Sequence, residues 1–141
     1  MDNTAVSIYF CGSIRGGRSD QELYADLIKY LQSFGTVLTA HVGEKDLLTD
    51  HNLSSREIYI RDMKYLDEAD IIVAEVSIPS LGVGYEIARA VDLGKRILCL
   101  SQLKRNQNLS ALISGCPDLQ IVVYSNIEEA KTAIDQFLAV K

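Results

Sequence analysis

The sequence predicts an α/β fold: one Rossmann-like, doubly wound domain built on a five-stranded parallel sheet of order 2-1-3-4-5. Three observations predict it. Short runs rich in β-branched and aromatic residues alternate with segments of helical period along the whole chain. The run Ile71-Ile72-Val73-Ala74-Glu75-Val76 is almost continuously apolar, as a parallel strand covered on both faces must be. No internal repeat, linker or low-complexity stretch interrupts the 141 residues, which suit a single core.

Residues 5–11, Ala-Val-Ser-Ile-Tyr-Phe-Cys, form the first strand. A glycine-rich loop, 12–18, follows. Ser19 with Glu22 has the spacing of a capping box, and Leu23, Leu27, Ile28 and Leu31 mark an amphipathic helix that stops at Gly35. Thr36 to Val42 reads as the second strand. Residues 43–53 are polar and without period. Ser54 with Glu57 repeats the capping signature and opens a helix to about Ala69. The central strand leads into Ser80-Leu81-Gly82-Val83-Gly84-Tyr85-Glu86, the start of a third helix that stops at Gly94. Lys95 to Leu100 is the fourth strand. After a polar connection come a short helix at 109–114, a fifth strand at 120–124, and a last helix capped by Asn126 with Glu129. Right-handed crossovers leave few topologies. In the chosen one the switch point lies between strands one and three. Loops 12–18 and 77–82 therefore border one crevice, the usual ligand position in an open α/β sheet.

Composition narrows the partners. A net charge of −5 argues against a long nucleic acid but not against a mononucleotide held by a few local donors. The three cysteines, Cys11, Cys99 and Cys116, lack framework spacing and read as reduced thiols. The first residues do not read as a signal peptide, and no apolar run approaches membrane-spanning length. The expected location is the cytoplasm, with the nucleus as a second compartment; no membrane partner is expected.

Two acids stand out. Glu86 shares a stripe with Ala90 and Leu93, at about 100° per residue, and so faces the apolar side of its helix. Asp62 falls near the middle of the arc carrying Ile58, Tyr59, Met63, Tyr65, Leu66 and Ala69. A lone inward carboxylate is commonly satisfied by a neighbour such as Arg61. Two of them, from helices flanking one strand, match the pair that cleaves a glycosidic bond: one attacks or stabilises the anomeric carbon, the other manages a proton at the leaving group. Tyr9, near the carboxyl end of the first strand, can reach the same crevice or be a core tyrosine with a bonded tip. Gly12, Ile14, Arg15 and Gly16, with Arg18, suit an anion near a helix N-terminus, or else form a tight turn with solvated arginines. Ser80 with Gly82 offers further donors, or plain N-capping. Ser110 is a cap or an anion donor. His41 and His51 lack metal-ligand spacing, so neither a metal nor a cofactor is expected.

Taken together, these motifs resemble a known family. Tyr9-Phe10-Cys11-Gly12-Ser13-Ile14-Arg15-Gly16-Gly17-Arg18, Gly35-Thr36-Val37-Leu38-Thr39 with His41-Val42, Pro79 to Glu86, and Arg96-Ile97-Leu98-Cys99-Leu100 resemble the 2′-deoxynucleoside 5′-monophosphate N-glycosidases of the Rcl type, in the nucleoside 2-deoxyribosyltransferase superfamily. The resemblance implies a Rossmann-like homodimer that releases a free base and 2-deoxyribose 5-phosphate. It implies Glu86 as the nucleophile of a covalent intermediate, Asp62 as the sugar-binding proton-transfer acid, and Tyr9 as the residue positioning Glu86. Gly12, Ile14, Arg15, Gly16 and Ser80 would hold the phosphate, Ser110 would be lent by the neighbouring subunit, and His41 would lie near the base. Segment 43–60 follows the family loosely. A deoxyribosyltransferase, a ribonucleotide N-glycosidase of the CMP type and a non-catalytic nucleotide-binding module are the alternatives.

Overall fold

The computed structural model describes residues 5–15 and 17–140. Five parallel strands, β1 (Val6–Cys11), β2 (Gly35–Val37), β3 (Ile71–Glu75), β4 (Arg96–Gln102) and β5 (Gln120–Tyr124), pair in the order β2-β1-β3-β4-β5. The helices are α1 (Gln21–Gln32), α2 (Ser55–Glu68), α3 (Leu81–Asp92), α4 (Ala111–Ser114) and α5 (Ile127–Ala139), with 3₁₀ turns at Ala40–Gly43 and Leu103–Asn108. No helix among the described residues is long and apolar enough to cross a membrane.

Strand alternation divides the core in two. Ile8 and Phe10 point to the face covered by α1 and α5, where Tyr24, Leu27, Leu31, Ile134 and Phe137 are buried. Tyr9 and Cys11 point to the opposite face, against Leu66 of α2 and Val83, Ile87 and Ala90 of α3. That alternation, fixed by the sequence of β1, sends the Tyr9 side chain toward the two helices that carry Asp62 and Glu86.

Several boundaries differ from expectation, each for a local reason. The capping box expected at Ser19 and Glu22 does not form. The N-cap of α1 is Asp20, without a side-chain cap bond, because its Oδ2 accepts instead from Gln102 Nε2 and Arg105 Nη1, both at 2.8 Å. Gly35 does not terminate α1 but begins β2, where a Cβ would lie 2.0 Å from the Val6 carbonyl oxygen. The second strand is shorter than the expected 36–42. Thr39 Oγ1 accepts from Phe10 N and donates to Phe10 O, both at 2.8 Å. One side chain thus occupies the backbone groups of β1 that a longer β2 would pair, and the chain turns into the 3₁₀ segment carrying His41. The capping box at Ser54 and Glu57 and the Asn126 cap of α5 form as expected.

Gly12 closes β1 against α1. A Cβ there would meet Tyr24 Cε2 at 2.8 Å, and the Tyr24 hydroxyl accepts from Ser13 N at 3.1 Å. Gly12→Ala should push the ring aside and destabilise the fold by about 1–3 kcal/mol, the usual overpacking cost. Chemical denaturation would check it; an unchanged midpoint would show that Tyr24 yields freely.

Candidate active site

The end of β1, the 3₁₀ turn, α2 and the first two turns of α3 meet beside the switch point. Tyr9 is fully buried, and its hydroxyl donates to Glu86 Oε2. Among the described residues nothing donates to Glu86 Oε1, which stays accessible. Burial raises the Glu86 pKa to about 7; the Asp62 charge pushes the same way, while the Tyr9 hydrogen bond and Arg61 oppose it. Burial and the Glu86 charge hold the Tyr9 hydroxyl firmly protonated. Tyr9 is therefore a donor, and Glu86 a carboxylate with one oxygen tethered and one open.

Asp62 lies on α2, half-buried. Its Oδ1 accepts from Arg61 Nε at 2.9 Å and Nη2 at 2.8 Å. Burial raises its pKa and Arg61 opposes that rise. The charge of Asp62 is felt at both Glu86 and Tyr9, so the two acids lie within electrostatic reach of each other.

His41, buried in the 3₁₀ turn, lies 3.0 Å from Arg61 Nη2 through its Nε2. Since a guanidinium only donates, Nε2 accepts and the ring is neutral. Burial, reinforced by the nearby Arg61 charge, lowers its pKa. The His41 turn is held by its carbonyls: Arg18 donates to Val42 O at 2.9 Å and to Glu44 O at 2.6 Å, and Gln21 donates to Gly43 O. Arg18 is thus committed to the fold and is no free cation for an anion. Arg15 is exposed and makes no ion pair among the described residues. Gly12 is buried and Ile14 half-buried at the start of the same loop; Gly16 lies outside the described residues.

Ser80 caps α3, its Oγ accepting from Val83 N at 3.3 Å, and Gly82 is exposed in the first helical turn. Ser110 caps α4 in the same manner, accepting from Leu112 N at 3.2 Å. It is exposed.

Three features were missed in the sequence. Arg61, anticipated only as a partner of Asp62, also binds His41 and Asp50; nothing in its periodicity marks those links. Tyr59, placed on the inward arc of α2, is 52% exposed and sits edge-on to Tyr85 of α3, centroids 6.2 Å apart. Glu75 is fully buried, accepting from Tyr124 Oη and from Ser77 N at 2.7 Å. Its signal was visible: a carboxylate inside an otherwise apolar run.

Fold and site define a Rossmann-like α/β protein with a tyrosine-held glutamate and a second acid at its switch point. The family model described as nucleoside 2-deoxyribosyltransferase matches residues 8–135, and the chain belongs to that family. It is 51% identical over 113 residues to the 5-hydroxymethyl-dUMP N-hydrolase of Tetraodon nigroviridis, covering 78% of this chain and 80% of that one. The enzyme of the same name from Rattus norvegicus is 46% identical over 142 aligned positions, covering 96% and 86%. Among solved structures, Clostridium botulinum CMP N-glycosidase has a TM-score of 0.68 at 22% identity, covering 93% of this chain and 98% of that one, a likeness of fold.

Proposed function

We propose that this protein hydrolyses the N-glycosidic bond of 2′-deoxynucleoside 5′-monophosphates, giving a free base and 2-deoxyribose 5-phosphate. The observation that carries the reading is Glu86, tethered by Tyr9 through Oε2 and with no donor to Oε1 among the described residues, within reach of the Asp62 charge. The relatives named as 5-hydroxymethyl-dUMP N-hydrolases support the substrate class.

The chemistry is a two-step displacement with retention. Glu86 Oε1 forms a bond to C1′ as the bond from C1′ to the base nitrogen breaks, its electron pair leaving with the base. Asp62 supplies a proton to the departing base, directly or through water. Water then attacks C1′, gives up its proton to Asp62, and Glu86 leaves as carboxylate. Gly12, Ile14, Arg15, Gly16, Ser80 and Gly82 hold the phosphate, so that remote binding orients the sugar over Glu86. His41 faces the base.

The protein acts as a homodimer in which Ser110 reaches the neighbouring phosphate. Leu81, next in sequence to Ser80, and Leu112, two residues after Ser110, are 97% and 86% exposed, and Tyr59 and Tyr85, edge-on to each other, are about half-exposed. Large apolar side chains left open near each serine in sequence support a covering subunit. Ser110→Ala should weaken nucleotide binding about tenfold to a hundredfold, the worth of a hydrogen bond to a charged group, and leave deoxynucleosides unaffected. KM for the two substrate classes is the measurement; unchanged discrimination would remove Ser110 from the phosphate site.

The reading is tested by incubating the protein with dAMP, dGMP, dCMP, dTMP and 5-hydroxymethyl-dUMP, with CMP beside dCMP, and measuring free base. Release from none would overturn it. The same glycosyl ester can pass its sugar to a second base, as the family name implies, and adding an acceptor base and looking for exchanged nucleotide separates transfer from hydrolysis.

A further inference from the structure

We propose that Arg61 is a positioning residue: its guanidinium fixes Asp62 by one oxygen, leaves the other free for the substrate, and ties that acid to the His41 turn and to Asp50 of the polar segment. The inference rests on the reading of Asp62 as the proton-transfer acid and adds a residue to it.

Arg61 makes contact with three separate parts of the chain. Nε and Nη2 both donate to Asp62 Oδ1, at 2.9 and 2.8 Å. Nη2 also donates to His41 Nε2 at 3.0 Å, and Nη1 to Asp50 Oδ1. Two donors on one carboxylate oxygen fix the plane of the carboxyl. Asp62 Oδ2 takes no hydrogen bond among the described residues and is not sealed from solvent. It is the oxygen left for a proton on its way to the base. The guanidinium is a rigid planar fork with several donors, and a lysine supplies the charge at a single point only.

The arrangement joins recognition to chemistry. His41 is on the 3₁₀ turn whose carbonyls Arg18 and Gln21 hold. Asp50 lies in the segment following it, where Glu44 also accepts from Thr49. A base that shifts either wall of the crevice acts on the guanidinium and so on Asp62. A base that fits leaves the acid aligned, and the discrimination falls on turnover more than on binding. The titratable groups around the pair come from every neighbouring element: Tyr9 and Cys11 on β1, His41 in the turn, Asp50 in the segment, Arg61 beside Asp62, and Glu86 on α3.

The test is a double-mutant cycle on the full chain, with 5-hydroxymethyl-dUMP and dCMP as substrates, comparing wild type, R61Q, R61K, D62N and R61Q/D62N. R61Q should lower kcat about tenfold to a hundredfold with KM changed less than about threefold. The rising limb of its pH profile should move to higher pH, because a positive charge favouring ionised Glu86 is gone. R61K should restore the limb and recover only part of kcat. Compared at a pH above both rising limbs, once Asp62 is asparagine, deleting Arg61 should cost nothing further, so R61Q/D62N should be as fast as D62N within about twofold. Losses that multiply in the double variant would overturn the proposal, as would an R61Q effect confined to KM, which would make Arg61 a binding contact. If R61Q does not fold, full kcat in a folded R61K would overturn the fork, and partial kcat with a restored limb would uphold it. A D62N variant as fast as wild type would remove the parent reading of Asp62, an outcome distinct from multiplied losses.

Discussion

Replacing Glu86 by glutamine is expected to abolish base release, by roughly a thousandfold or more, since no nucleophilic oxygen anion remains to form the ester. The same substitution should stabilise the fold above neutral pH. In the unfolded chain the carboxyl ionises near 4.5, and in the native crevice burial holds it to about 7. A folded-state pKa above the unfolded one means that stability is full below about pH 4.5 and is lost as pH rises through about 7. The loss is of the order of 3 kcal/mol for a shift of this size. Glutamine does not titrate, so E86Q keeps that stability, and its carbonyl oxygen can still accept from Tyr9. Paired thermal melts at pH 5 and pH 8 should show the variant pulling ahead of wild type only at the higher pH. Mass spectrometry during turnover should find the sugar phosphate on wild type and not on E86Q. Undiminished base release by E86Q would remove Glu86 from the reaction.

The second large effect is expected from Asp62→Asn. With a poor leaving base the loss should be about 10²–10⁴-fold, the range of positioned proton transfer. Its signature lies in the pH profile. The proposed reaction needs Glu86 ionised and Asp62 protonated, so kcat/KM should describe a bell. Removing Asp62 leaves one titrating acid. The falling limb should vanish, leaving a single rising limb set by Glu86. A bell that survives D62N unchanged would assign the second proton to another group.

How far the sequence foretold this site depended on the kind of signal. The inward placement of Tyr9, Asp62 and Glu86 was legible because strand alternation and helical period are geometric, and a carboxylate on an apolar stripe is conspicuous under either. The sheet order was legible because crossover handedness leaves few choices. What could not be read was set by contacts between segments far apart in the chain. Ser19 and Glu22 have the spacing of a capping box, yet Asp20 takes the cap position because Gln102 and Arg105 bind its side chain. His41 was placed at a strand end, and Thr39 binding back to Phe10 ends that strand early. Arg18 looked like a phosphate ligand and holds the His41 turn instead. Tyr59 fell on the inward arc of α2, but that part of the helix stands clear of the core.

The molecule contains the same couple twice: a strand tyrosine whose hydroxyl grips a glutamate, Tyr9 with Glu86 and Tyr124 with Glu75. Burial pushes both carboxyls toward their neutral form. In Glu75 the backbone of Ser77 takes the remaining oxygen and no solvent reaches it. In Glu86 the remaining oxygen takes no hydrogen bond among the described residues. Reactivity here is thus decided by an open line of approach, and one capped lone pair is enough to turn an attacking group into a strut.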